Sequence, residues 1–394
     1  MNNRRLSAAQ AFTNSALREC EHLRRDRWDL ALATLIPILI LVMFGWFFSD
    51  GVPRKLPIVV VDQDRSTLSR ELVRMLDENA GLYIASQPTS VDAAWPSLRN
   101  GTAYALILIG PNTSRDVLRG GSATLVAWYN ASYRTAGQAA SGEISKTVQA
   151  FGARVAFDAT AAIRGPRSLR AAPIAIQTSV LGNPARSYEH FLLGLIFPAV
   201  LHLVACLLMV SAIGRELRNR SAGEWLAVCD GRILPAVTGK LFPYVLLFLL
   251  YGAFSLAWIA GIRGAGVTGS VLILLLGYLL MLAAYAGVAL LFVGATRNMG
   301  TALSLTGIYA GTSLAFSGGS FPVLEAPVFV RVWNAILPYT HYVQLQAQQL
   351  DFATPWTDSL PQLLILLLFI AVAGGLGLLL YGRAARNPAA WGLR

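Results

Sequence analysis

Apolar residues along this chain are gathered into runs rather than scattered. Leu30 to Phe48 contains no charged residue, and five further runs follow at Phe191–Ile213, about Leu241–Ile262, Val271–Ala295, Thr301 to about Ser317, and Gln362–Tyr381. A helix needs roughly 20 apolar residues to cross about 30 Å of hydrocarbon, so the pattern predicts six transmembrane helices. Between the first two, residues 49–187 change period. Short apolar runs at Leu56–Val61, Leu82–Ala85, Ala103–Ile109, Thr124–Tyr129 and Ile174–Ser179 read as strands. Helical spacing fits Ser66–Glu78, Val91–Arg99 and a long helix from about Ala136 to Arg164, whose Ile144, Val148, Phe151 and Val155 recur on one face. Strands alternating with helices predict a compact α/β domain with a mixed sheet.

Composition agrees with a membrane protein: 55% of the 394 residues are hydrophobic and only 13% charged, about half the charged share of a soluble protein. The net charge of +11 sharpens the topology. Residues 1–29, 214–240, Arg297 and the tail with Arg383, Arg386 and Arg394 hold fifteen Lys/Arg against seven acids; the loops 263–269 and 318–361 hold two against three. Basic residues mark cytoplasmic loops, so the N- and C-termini are predicted inside and residues 49–187 outside. That punctuation of apolar runs also argues against a nucleic-acid binder, whose basic residues share one soluble face. Cys20, Cys206 and Cys229 lack disulfide or metal-ligand spacing.

Candidate chemistry is sparse. Asp62-Gln-Asp64 begins like a calcium loop, but Thr67 and Val73 stand where Gly and Glu are required, so a strand end and helix cap is the better reading. The outer domain has no histidine before His190, which excludes Ser/His and Cys/His nucleophile pairs. The only Gly-Lys, Gly239-Lys240, is followed by Leu and makes no phosphate-binding GxxxxGK[ST] loop. Polar residues inside spans are costly and mark pathways; His202, Tyr309, Thr312 and Ser313 are the candidates. Gly307 and Gly311, four apart, would let helices pack closely in a dimer. Gly214 to Leu226 has the charges and the Trp225-Leu226 pair of an amphipathic helix on a membrane surface.

Several stretches together resemble the permease subunits of ABC-2 type exporters that carry a large periplasmic domain between their first two spans. They are Glu21-His-Leu-Arg-Arg-Asp-Arg27 before a span containing Pro37, Val60-Val-Asp-Gln-Asp-Arg-Ser-Thr-Leu-Ser-Arg70, the 215–226 block leading to Gly239-Lys240-Leu-Phe-Pro243-Tyr244, and Phe316-Ser-Gly-Gly-Ser-Phe-Pro322 ahead of Leu337-Pro-Tyr-Thr-His-Tyr342. Where many family members carry Gly-Thr before the coupling Glu, this chain has Ser221-Ala222.

The resemblance implies an α-helical integral membrane protein of the bacterial inner membrane. Six spans, N-in/C-in, would carry an inserted α/β extracytoplasmic domain. Two such subunits, identical or different, form the pathway, and each docks a separate ATPase through a coupling helix at 214–226 and an amphipathic N-terminal helix at about Leu6–Arg27. This chain would bind no cofactor or metal itself, with ATP and Mg held by the ATPase. Substrate, drug-like, lipidic or another small molecule, would move outward. Arg215, Glu216, Arg218, Arg220, Glu224 and Trp225 become ATPase-coupling candidates, and Phe321, Tyr339 and His341, near outer re-entrant helices at about 322–345, become gate candidates. A periplasmic adaptor and membrane lipids are the further expected partners. The alternative is a non-transporting scaffold or receptor whose outer domain binds a ligand.

Overall fold

The computed structural model describes residues 6–48, 54–119, 123, 125–129, 134–164, 187–264, 266–320, 323 and 325–393. The chain divides into two compact units, one formed by Met1–Ser49 with Val180–Arg394 and the other by Asp50–Ser179.

The smaller unit is α/β. Its strands β1 (Leu56–Asp62), β2 (Leu82–Ser86), β3 (Ala105–Ile109) and β4 (Val126–Tyr129) form one sheet in the order β2-β1-β3-β4. β1 runs parallel to both neighbours, with Ile58 opposite Ala105, while β4 is antiparallel to β3, with Leu106 opposite Trp128. The run of apolar residues in β1 follows from this central place: Ile58 to Val61 are buried on both faces, as parallel strands require. On one face Ile58 and Val60 pack with Leu72 and Leu76 of α4 (Thr67–Asp77) and with Ala140 and Ile144 of α7 (Arg134–Arg164). On the other, Val59 and Val61 meet Ala94 and Leu98 of α5 (Val91–Arg99). A short α6 (Thr113–Leu118) follows β3. Asp62 ends β1, where Oδ1 accepts from the Asp64 and Arg65 amides and Oδ2 from Ser69 Oγ at 2.8 Å, and Ser66 caps α4 by accepting from the Ser69 amide at 3.0 Å. The strand expected at Ile174–Ser179 lies outside the described residues.

The larger unit is helical. In chain order it holds α1 (Ala8–Arg25), α2 (Arg27–Ala33), α3 (Leu35–Phe47), α8 (Tyr188–Arg218), α9 (Ala222–Val228), α10 (Ile233–Ala257), α11 (Val271–Thr296), α12 (Met299–Gly311), α13 (Ser313–Phe316), α14 (Val328–Ala335), α15 (Pro338–Leu350), α16 (Trp356–Phe369) and α17 (Gly375–Arg386). Among the described residues five stretches are long and apolar enough to cross a membrane: Arg27–Phe47, Glu189–Arg218, Ile233–Ile262, Val271–Thr296 and Trp356–Arg386.

Three features depart from the sequence reading. The run at 301–317 is not one helix but α12 and α13, of 13 and 4 residues, interrupted at Thr312. Thr312 Oγ1 donates back to the Ile308 carbonyl at 2.9 Å, the local bond by which a hydroxyl bends a helix. The expected helix at 214–226 is also divided. Gly214 to Arg218 finish α8, the chain turns through Arg220 at φ 59°, and α9 then starts at Ala222. Third, the runs read as starting at Leu241 and Gln362 begin a turn or more earlier, at Ile233 and Trp356, because helix geometry continues through the polar ends that hydropathy trims.

Proline sets one helix contact. Pro198 inside α8 has no N–H for the Gly194 carbonyl, and Gln346 Nε2 of α15 donates to that carbonyl at 2.7 Å instead. Tyr339 Oη donates to the adjacent Leu195 carbonyl at 2.7 Å.

Candidate functional site

The strongest concentration of buried charge lies where α8 ends. α1 begins with a capping box in which Ser7 and Gln10 satisfy each other's backbone amides. The face that α1 buries is Ala11, Ser15 and Glu19, spaced by four along one stripe. It rests on α10, and Gly239 makes that approach feasible: a Cβ there would stand 2.2 Å from the Phe12 carbonyl oxygen.

Glu19, 1% exposed, is the hub. One oxygen accepts from Arg215 at 2.6 Å and from Tyr244 Oη at 2.6 Å; the other pairs with Lys240. Lys240 also reaches Glu216 at 2.8 Å, and Arg215 reaches Asp29 at 2.7 Å. Arg18 ends the chain of pairs on Glu216 at 3.4 Å. The carboxylates of Glu19, Asp29 and Glu216 are thus balanced by Arg18, Arg215 and Lys240. Charge balance of this kind is what a buried cluster needs, because each ion loses several kcal/mol of solvation. Ser221 Oγ donates to Glu216 at 2.6 Å, Trp225 Nε1 donates to Ser15 Oγ at 2.9 Å, and Lys240 lies 5.5 Å over the Trp225 ring. Six chain segments, α1, α2, the end of α8, the turn after it, α9 and α10, are held at one point. His22, Asp26 and Asp29 lie close beside it, but Asp26 accepts the Trp28 and Asp29 amides as the cap of α2, and Asp29 is paired with Arg215 and His22.

Burial alone would push the Glu19 carboxyl up; Lys240 and Arg215 outweigh it, with hydrogen bonds from Lys240 and Tyr244, and hold the group below its ordinary 4.5. A carboxyl lowered by folding adds stability above its unfolded value and loses it as pH falls through the folded value. Glu19→Gln is therefore expected to flatten the acid limb of a thermal-stability profile recorded below about pH 5. An unchanged acid limb counts against the pairing.

The six coupling candidates separate into two groups. Arg215, Glu216 and Trp225 are buried in intrachain contacts, whereas Arg218, Arg220 and Glu224 are exposed around the turn and α9. The first three were expected on a docking surface and instead bind α1 to the helical unit. Glu19 and Asp29 are not among the sequence candidates, and Lys240 and Tyr244 enter the sequence analysis only within a family-like stretch, without a role. The spacing of Ala11, Ser15 and Glu19, and a Lys followed by Tyr four residues on in an apolar stretch, are the signals that mark them.

The pathway candidates gather elsewhere. His202 lies between the rings of Tyr285 and Tyr339, with centroids 4.4 and 5.0 Å away, and its Nδ1 bonds the Pro198 carbonyl of its own helix at 2.7 Å. Tyr285 Oη and Ser313 Oγ are 3.0 Å apart. Tyr309 packs edge-on to Tyr285 and Trp333 and donates to the Ile336 carbonyl, while Thr312 accepts from Trp333 Nε1 at 2.9 Å. His341 stands apart, bonded to Gln362 and the Ala335 carbonyl. Phe321 lies outside the described residues.

Long apolar helices around a buried charge cluster define a multi-pass membrane protein. The profile of the ABC-2 family transporter proteins matches residues 27–379, and the chain belongs to that family. It is similar to the "Inner membrane transport permease YhhJ" of Escherichia coli K12 and of Shigella flexneri, at 24% identity over 331 residues in each case, covering 82% of this chain and 85% of either relative. As a permease-type family member it is a transport-related integral membrane protein, and the inner-membrane naming of its relatives agrees with a bacterial inner membrane.

Proposed function

We propose that the chain is the permease half of an ATP-driven exporter. It moves a small molecule from the cytoplasm or inner leaflet outward while a separate ATPase chain holds and hydrolyses MgATP. The observation that carries this reading is the charge cluster: it makes α1, the end of α8, α9 and α10 one mechanical body, and Arg218, Arg220 and Glu224 project from that body toward solvent. Charged groups on a stiff base can pair with a partner's groove and transmit its motion.

Six crossings, with both termini inside, fit the same arrangement. α12 and α13 together reach about 27 Å at about 1.5 Å per residue, close to the hydrocarbon thickness. The C-terminal segment returns to the end where α1 lies: the Gly392 amide donates to the Leu217 carbonyl at 2.9 Å, and Arg386 donates to the Gly231 carbonyl at 3.3 Å. An even number of passes suits α1 and the C-terminal segment lying at one end, with the broken helix pair as the sixth. α14 and α15 then lie at the outer end as partial-depth helices, and the Asp50–Ser179 unit becomes periplasmic, where it would dock an adaptor or hand over substrate. A second permease subunit completes the pathway.

Glu224→Lys tests the coupling surface. It is expected to leave membrane insertion and melting temperature unchanged, while export from cells, and ATPase activity of the copurified complex, fall at least tenfold. Wild-type export in this variant would sink the proposal, and failure of any ATPase to copurify with the wild-type chain would favour the scaffold reading.

A further inference from the structure

At the opposite end of α8 from the charge cluster, a cavity of about 250 Å³ is walled by His190, Phe191 and Leu195 of α8, Gly319, Val343, Gln346 and Leu350, with Asp351 and Phe352 at its rim. His190 Nε2 and Asp351 Oδ1 are 2.6 Å apart, and the His190 side chain is only 10% exposed. Its other nitrogen, Nδ1, is buried without a hydrogen-bond partner. A buried polar atom left unpaired is costly, and a donor that enters the cavity lined by His190 would satisfy it.

The chemistry of that donor follows from the pair. With Nε2 donating to the Asp351 carboxylate at 2.6 Å, a neutral imidazole offers its lone pair at Nδ1, and a carboxylate behind an imidazole strengthens it as an acceptor. The pair's charged neighbours Glu189 and Arg263 offset each other at 2.7 Å. Phe191 and Phe352 add aromatic rings that attract a cation, and Leu195, Val343 and Leu350 supply an apolar wall. An adjoining cavity of about 590 Å³, which shares Gly319, Val343 and Ala347, gives room for a longer body and brings in Arg331 and Asn334.

We infer that this pocket is a binding site for a primary ammonium attached to an apolar body, with the ammonium donating to His190 Nδ1. The ligand is a soluble amphipathic amine or an amine-bearing membrane lipid, which share that chemistry. As the class of molecule the transporter hands outward, the inference rests on the export reading; as a binding site it does not, because it is measured on the resting chain without its ATPase.

The test is equilibrium dialysis of labelled 4-phenylbutylamine against the full chain in phosphatidylcholine nanodiscs. 4-Phenylbutyrate is the matched anion. Saturable amine binding is expected, at least tenfold tighter than the anion. It should weaken at least tenfold in His190→Phe and Asp351→Asn and be unchanged in Arg331→Ala. Val343→Trp keeps the His190–Asp351 pair and fills the cavity, so it should abolish binding with an unaltered melting curve; this separates occupancy of the pocket from a folding defect. Repeating the titration with phosphatidylethanolamine in the nanodisc distinguishes the sources: competition identifies the lipid, and its lack the soluble amine. Binding that is absent, that survives both His190→Phe and Asp351→Asn, or that favours the anion through Arg331 overturns the assignment.

Discussion

Lys240→Met is expected to cost the folded chain about 3–5 kcal/mol, the usual penalty for removing one partner from a buried ion pair. Lys240 is 2% exposed and serves both Glu19 and Glu216, themselves nearly sealed from solvent. Its loss leaves three carboxylates facing Arg18 and Arg215 alone. Glu19→Gln creates the opposite imbalance, because Arg215 and Lys240 then share Asp29 and Glu216. The double variant restores neutrality, so its penalty should fall short of the sum of the two single ones by at least 1 kcal/mol, the scale of coupling within a shared network. The measurement is denaturant unfolding of the purified chain in detergent, followed by tryptophan emission. Trp225 is a local reporter, since its ring lies under Lys240 and its Nε1 donates to Ser15 of α1. Strictly additive penalties would show that the charges act separately and would remove the reason for treating α1, α8 and α10 as one body.

How far the sequence foretold this arrangement depends on what each residue was selected against. β1 and α4 were legible because a central strand and the helix packed on it must be apolar at fixed intervals, and Ile58–Val61, Leu72 and Leu76 obey that rule. α1 was recognised as a helix, but its role was not. Amphipathic reasoning looks for an apolar face, whereas α1 buries Ser15 and Glu19 and leaves Leu17 63% exposed. Hydropathy similarly placed Lys240 outside its span, though the charge is neutralised within the protein and the helix carries it inward. Composition makes Trp225 a membrane-surface residue of an amphipathic helix. It is fully buried against α1 and Tyr381 instead, because its N–H finds a partner that composition cannot reveal. The gathering of His202, Ser313 and Tyr339 depends on three helices distant in sequence. Hydropathy marks polar residues such as His202 and Ser313 as costly in a span but carries no information on which side chains meet.

Glycine makes the same point with opposite signs and gives the second large effect. Gly307 and Gly311 drew notice for their spacing, yet a Cβ at either meets nothing within 4 Å. Besides Gly239 against α1, the close backbone approaches between helices lie between α11 and the segment formed by Gly374 and α17. A Cβ on Gly287 would stand 2.7 Å from the Gly374 nitrogen, one on Gly294 2.6 Å from the Tyr381 nitrogen, and one on Gly377 2.6 Å from the Leu291 nitrogen. All three obstacles are backbone, which no side-chain rotation relieves, so the helices must part by about 1 Å to reach ordinary contact. Tyr381 Oη also donates to the Ile213 carbonyl of α8 at 3.0 Å, and separation at Gly294 pulls on that bond. Gly294→Ala is therefore expected to destabilise by about 1–3 kcal/mol from overpacking, even after the gain of up to about 1 kcal/mol that alanine brings to a helix. Gly307→Ala takes only the gain and should raise the melting temperature of a monomeric, detergent-solubilised chain. Equal losses at both positions would mean that a second chain packs on α12 under those conditions, and size-exclusion of the same samples would show it as a larger species.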